Sequence, residues 1–400
     1  MTATLITNIG ELTTMDAEHR VLRRAAVVVE DERIAWIGDA DAAPEADDVV
    51  DAGGRAMLPG WVDSHTHLVF AGDRGAEFEA RMAGQSYAAG GINVTTEATR
   101  AADDGELTDL VRARVADAVR GGTTYLETKT GYGLDVEEEA RHARIARPEV
   151  DTVTFLGAHL IPPGADGDAY VESVRGPMLA AALPYVQWAD VFCETGAFDA
   201  DQSRAVLQAC AEAGLGLRVH GNQLGHGPGV ALAVEMGAAS VDHVNYLSDD
   251  DVDLLAGTWT GWDARAVTGT PGTVATCLPA CDLSTRQPLA PGRRLLDAGV
   301  EIALASNCNP GTSYTTSMNF NVTTAVLQMH LTLAEALRAA TLGGAISLGV
   351  QDEVGSIEVG KRADLHLLDA PAAIHLAYRP GMPLTHSVWR RGRRIWSLAD

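Results

Sequence analysis

Two histidines one residue apart, His65 and His67, close the apolar run MLPGWVDS. In an extended chain alternate residues share a face, so both imidazoles can meet one metal ion. Taken alone, such a pair more often marks ordinary core or surface histidines. His220 in LGLRVHGNQ and His243 in ASVDHV also end apolar runs, and four histidines at strand ends make a candidate metal centre. Glu127, His159, Glu194, Asp242 and Asn307 occupy similar places. Bound water acidified from 15.7 towards roughly 7 is the chemistry such a centre offers, which is hydrolysis at neutral pH. A further histidine, for which His243 is the candidate, would orient the nucleophile and move protons.

Positioning these groups requires strands whose ends converge. Eight apolar runs qualify: MLPGWVDSHTHL, GTTYLETK, TVTFLGAH, ADVFCE, LGLRVHGNQ, ASVDHV, GTVATCLP and EIALASN. Between them lie Ala-rich segments such as LTDLVRARVADAVR, with apolar residues recurring at three and four, the helical period. Eight strand-then-helix units predict an α/β fold of the TIM type, a (β/α)8 barrel with its chemistry at the C-terminal strand ends. No Gly-rich phosphate fingerprint follows the first strand, which argues against a doubly wound sheet. The termini read differently. AAVVVE and RIAWIG at one end, and GSIEVGKRADLHLLD and HSVWRRGRRIWSL at the other, have the texture of a small antiparallel sheet. The expected organisation is therefore a small β-sandwich domain from residues 1–56 plus 353–400, around a barrel over 57–352. The stretch 259–271, WTGWDARAVTGTP, breaks the rhythm and reads as a surface excursion.

Composition narrows the class. The 400 residues are 46% hydrophobic and 21% charged, with a formal charge of −24, and only Lys129 and Lys361 are lysines. An acidic surface without basic runs speaks against nucleic acid and anionic membranes as partners. There is no long apolar window and no leader-like start, so a cytoplasmic location is expected. Five cysteines, Cys193, Cys210, Cys277, Cys281 and Cys308, fall mostly in apolar runs and read as reduced, buried thiols. Cys277 and Cys281 are four apart, but no second pair accompanies them to complete a zinc site.

Against this background the run from Leu58 to His67, LPGWVDSHTH, resembles the opening of the metal-dependent amidohydrolase barrel. The resemblance narrows further: HTHLVFAGDR, FEARMAGQSY, KTGYGLD, FLGAH, DVFCETGAF, RVHGNQL and NPGTS are similar to the imidazolonepropionase family and cover most of residues 57–350. It implies hydrolytic opening of a cyclic amide, 4-imidazolone-5-propanoate, to N-formimidoyl-L-glutamate in histidine degradation. It implies one Zn²⁺ or Fe ion per subunit, held by His65, His67 and His220, with Asn307 at the place of a further ligand. Glu194, where binuclear members carry a carboxylated lysine, implies a single metal. Substrate contacts are implied for Arg74, Tyr87, Tyr132, His159, Gln223, Asn309, Gly311 and Thr312, and catalytic roles for His243, Gln223 and Asn307. Arg74 suits the propionate tail, since a guanidinium clamps a carboxylate with two hydrogen bonds. The partner is then a small molecule with a carboxylate tail; a homodimer is left open.

One position departs from the pattern. The eighth strand ends in an aspartate across the family, whereas here ASNCNPG puts Asn307 there. An amide oxygen can ligate weakly but cannot take a proton as a carboxylate does. Two rivals therefore stand beside the main reading: another barrel hydrolase, such as a heterocycle deaminase or a cyclic amidase, and an inactive barrel kept for binding.

Overall fold

The computed structural model describes residues 2–84 and 91–398. Eight parallel strands form the central sheet: β1 (Trp61–Asp63), β2 (Thr123–Lys129), β3 (Thr152–Ala158), β4 (Trp188–Cys193), β5 (Gly216–Gly221), β6 (Ser240–His243), β7 (Val274–Cys277) and β8 (Ile302–Leu304), each paired with the next. The sheet closes beyond its last strand ends. Thr66 and Cys308 form a parallel bridge, the Asn307 amide donates to the His65 carbonyl at 2.9 Å, and the His67 amide donates to the Cys308 carbonyl at 2.9 Å. Closure therefore runs through the residues expected to carry the chemistry. Helices pack outside, several capped by acidic side chains: Asp135 receives the Glu137 and Glu138 amides, and Asp199 and Gln202 form a reciprocal box at Ala200–Glu212.

The termini build a second, mixed sheet in the order Arg393–Ser397, Thr385–Arg390, Leu365–Leu368, Ala56–Pro59, Ala3–Thr13, Val21–Glu30, Arg33–Asp39, with Asp48–Asp51 beside Ala3–Thr13. It is not purely antiparallel, because Ala3–Thr13 pairs in parallel with both Asp48–Asp51 and Ala56–Pro59. Its own core contains Ile6, Ile9, Leu12, Val27, Ile34, Leu365 and Trp389.

One predicted strand proves to be two. MLPGWVDSHTHL divides at Gly60: Ala56–Pro59 joins the terminal sheet and Trp61–Asp63 starts the barrel. The Gly60 amide donates to the Asp364 carbonyl and the Trp61 amide to that of Gly122, so the backbone changes sheets within two residues. A Cβ on Gly60 would stand 2.2 Å from the Thr124 hydroxyl, which is why glycine is needed. Residues 259–271 are less superficial than their sequence suggests. Trp259 is buried, the Trp262 indole donates to Glu301 at 3.4 Å, and Arg265 reaches the Ala17 carbonyl.

Candidate active site

All four strand-end histidines converge on one mouth of the barrel. The His65 and His220 rings lie 4.5 Å apart, His65 and His67 5.3 Å, His67 and His220 5.5 Å, and His220 and His243 5.3 Å. The tightest group is His65, His220 and His243, each contributing a nitrogen within 4.8 Å of the others; His67 flanks it and stacks on His159 at 5.4 Å. Burial holds the rings of His65, His67 and His243 well below the usual imidazole pKa, and their mutual repulsion adds to this. They are therefore neutral, the state a cation requires of its ligands. His65 Nε2, His67 Nδ1, His220 Nε2 and Asn307 Oδ1 are buried without a hydrogen-bond partner, a set of lone pairs suited to a metal ion.

Beneath the histidines lies a layer of buried charge. His65 Nδ1 is hydrogen-bonded to Asp242 at 2.6 Å, and Asp190, which accepts the His220 backbone amide at 3.1 Å, stands 3.0 Å from His220 Nδ1. A carboxylate bonded as Asp242 is fixes the tautomer and orientation of a ligating ring. Lys129, fully buried, bonds Glu127 at 3.0 Å and Asp190 at 2.9 Å, while Arg218 pairs with Asp242 at 3.1 Å. Burial alone would raise both aspartate pKa values. Arg218 and His65 more than offset it at Asp242, and His220 and Lys129 at Asp190, so both remain carboxylates. Asp242→Asn should accordingly weaken metal affinity by roughly 10- to 100-fold, read by competition with a chromophoric chelator. Affinity within about twofold of wild type would show that Asp242 does not set the His65 ring.

Lys129, Asp190 and Arg218 were not among the expected site residues. The signal was present in part: Glu127 and Lys129 are two apart in a strand whose every residue is buried, so both face the same side of it. Pairing such charges needs the neighbouring strands, which no single run reveals.

A small polar cavity opens over the histidines, lined among others by Arg74, Tyr132, Gln223, Asn307, Asn309 and Thr312. Arg74, buried in front of helix Gly75–Met82, makes two 2.8 Å hydrogen bonds to Glu77 through Nε and Nη2. Glu77 thus occupies one edge of the guanidinium and fixes its plane. Gly311 lets it approach, since a Cβ there would lie 2.2 Å from Arg74 Nη1. His159, a substrate contact by resemblance, is built as an acceptor: burial holds its pKa at about 3, and in the neutral ring the Nδ1 proton goes to the Gly131 carbonyl at 2.8 Å, which leaves Nε2 a lone pair. Tyr132 packs between His67, His159 and Phe70.

Asn309 spends its amide on the loop itself. Its oxygen accepts from the Gly311 and Thr312 amides at 2.8 Å, and its nitrogen donates to the Asn307 carbonyl at 2.7 Å and Thr312 Oγ1 at 2.8 Å. Asn307 and His243 both carry positive φ, 51° and 82°, left-handed conformations uncommon for residues with a side chain. Gln223 is anchored by its backbone amide to Glu194 at 2.8 Å, with its side-chain nitrogen 3.8 Å from Cys281 Sγ. Glu194 accepts from the Thr195 and Leu224 amides as well, so its carboxylate is spent on the backbone. Tyr87 lies outside the described residues.

A closed parallel barrel bearing a buried histidine cluster at its C-terminal mouth defines the class, and the amidohydrolase family model matches residues 192–392. The chain belongs to the amidohydrolases. Among curated proteins it is 75% identical to the imidazolonepropionase of Micrococcus luteus, covering 98% of this chain and 100% of that one, and 71% identical to that of Paenarthrobacter aurescens, covering 98% of both. Within the amidohydrolases, it is a member of the imidazolonepropionase family. Solved structures share the fold at lower identity: a zinc-complexed mutant of an atrazine chlorohydrolase from Arthrobacter aurescens has a TM-score of 0.73 at 20% identity over 99% of this chain and 97% of that one. An adenosine deaminase from Xanthomonas campestris with bound zinc has a TM-score of 0.72 at 20% identity, over 98% and 92%.

Proposed function

We propose that this chain hydrolyses the ring of 4-imidazolone-5-propanoate to N-formimidoyl-L-glutamate, with one Zn²⁺ or Fe ion per subunit. The observation that carries the reading is a cavity that holds neutral histidines and, across it, the Arg74 guanidinium. A flat ring with a carboxylate tail needs those two features together. The full-length likeness to imidazolonepropionases supports the same substrate. Further readings accompany it. The enzyme works in the cytoplasm, in keeping with the absence of a membrane-length apolar helix among the described residues, and the terminal segments, expected as 1–56 with 353–400, form a unit apart from the barrel, supported by the separate core of the terminal sheet, which also takes in Met57.

His65, His67 and His220 would hold the ion, with Asn307 Oδ1 as a weak fourth donor. Bound there, it supplies Lewis acidity and a water whose pKa falls from 15.7 towards roughly 7. The rest is the work of side chains. Arg74 binds the propionate through the edge that Glu77 leaves open. His159 Nε2 accepts a ring N–H, and Gln223 holds the ring with its amide. His243, neutral at pH 7, takes the proton as water oxygen bonds to the ring carbonyl carbon. It then returns a proton to the ring nitrogen as the C–N bond breaks.

Arg74→Lys is expected to raise KM by about tenfold or more while kcat changes by less than about threefold, because a point charge cannot reproduce the planar fork. Unchanged constants would remove Arg74 from the tail site. The function itself is tested by offering the purified protein imidazolone propanoate, its analogue lacking the propionate, and aminated heterocycles. Ring opening confined to the first supports the proposal; turnover of an aminated ring instead would favour a deaminase.

A further inference from the structure

From the sequence Cys281 reads as a buried structural thiol, with Cys277 as its only nearby pair. In the fold its metal-capable neighbours are His243 and Asp282: one ligand atom from each of the three lies within 4.8 Å of the others. All three are buried, with exposures of 2% for His243, 0% for Cys281 and 1% for Asp282. His243 Nδ1 has no hydrogen-bond partner among the described residues. Asp282 Oδ2 accepts the Ala290 amide at a long 3.2 Å and lies beside the Asn245 side chain, yet burial pushes its carboxyl up to about 7. An imidazole nitrogen, a thiol and a carboxylate with few hydrogen bonds thus meet in one buried place, on a ring whose Nδ1 is unpartnered among the described residues.

We propose that His243, Cys281 and Asp282 form a second, inhibitory site for a thiophilic divalent cation such as Zn²⁺. The donor set of nitrogen, sulfur and oxygen suits zinc or cadmium and not magnesium or calcium, which take oxygen alone. Ligand atoms around a tetrahedral zinc stand roughly 3.5 Å apart, so separations that now lie within 4.8 Å must contract by up to about 1.3 Å. The cysteine proton leaves to solvent as the metal–sulfur bond forms, with no change of oxidation state. His243 also belongs to the group of His65 and His220. A cation on the second site therefore takes the side chain proposed to move protons, and draws in the thiol beside Gln223; to that extent the inference rests on the function proposed above. Repulsion from a cation already at the first site makes the second the weaker, by about 10- to 100-fold. Activity would then rise as the first equivalent binds and fall as the second does.

The test uses the holoenzyme carrying one equivalent of its metal. Equilibrium dialysis against rising Zn²⁺, followed by elemental analysis, counts bound metal in the wild type, Cys281→Ser and Asp282→Asn, and turnover is followed over the same range. Cd²⁺ added to the same samples reports sulfur ligation through its ultraviolet charge-transfer band. The wild type is expected to take a second equivalent, lose turnover by more than about tenfold, and show the cadmium–thiolate band. Both variants should stop at one equivalent and keep their own turnover across the range; Asp282→Asn, isosteric with the native side chain, covers the case in which the serine variant fails to fold. Saturation of the wild type at one equivalent would overturn the proposal, as would a second equivalent that persists in both variants.

Discussion

Replacing His65 with alanine is expected to remove bound metal and turnover together. The ring lies at the centre of the cluster, fully buried, 4.5 Å from His220 and hydrogen-bonded to Asp242 at 2.6 Å. Its loss opens the coordination set and leaves Asp242 without its neutral partner, so the variant suffers twice. His67→Ala and His220→Ala should behave alike, with turnover below about one thousandth of wild type, a barrier increase of roughly 4 kcal/mol or more. Elemental analysis of each purified variant, beside its melting curve, separates a lost ligand from a lost fold. Metal at full stoichiometry in a folded His65→Ala protein would refute the assignment.

The second large effect concerns the pairing of Asn307 with His243. Asn307→Asp adds a negative donor where Oδ1 is now buried and unpartnered, so metal affinity should rise by about tenfold or more. Turnover should change by less than about tenfold, roughly 1.4 kcal/mol, because two effects oppose each other. The new carboxylate restores a proton acceptor, but an anion beside the acidified water raises that water's pKa. His243→Ala should then cost about 10² to 10⁴ in the native background and far less in the Asn307→Asp background, where a carboxylate can take the proton. Four rates complete the double-mutant cycle. Equal losses in both backgrounds would mean that His243 does not stand in for the missing carboxylate.

How much of this could be read from the chain depends on where the information resides. Alternation along single strands was enough to bring His65 and His67 together, and eight apolar runs sufficed for the barrel, because both are local patterns repeated often. The division of MLPGWVDSHTHL at Gly60 was not visible, since both halves are apolar and only the contact with Thr124 demands a glycine. The Lys129, Asp190, Asp242 and Arg218 network spans four strands and has no linear signature. Arg74 was legible as a clamp, but Glu77 on its other edge was not, because a helix-start arginine and a glutamate three residues on look like an ordinary surface pair. For His159 the residue was legible and its hydrogen-bond partner was not: the Gly131 carbonyl that takes its Nδ1 proton belongs to another strand end.

One metal ion held by the strand-end histidines and driving the opening of the imidazolone ring is the proposal on which the other roles depend. The most direct measurement strips the purified protein with a chelator, restores Zn²⁺ or Fe²⁺ in steps up to one equivalent, and follows both metal content and the yield of N-formimidoyl-glutamate from fresh imidazolone propanoate. Product formation that is absent in the stripped protein and rises in proportion to metal up to one per subunit is the predicted result. Undiminished ring opening by the metal-free protein, or none at full occupancy, would contradict it.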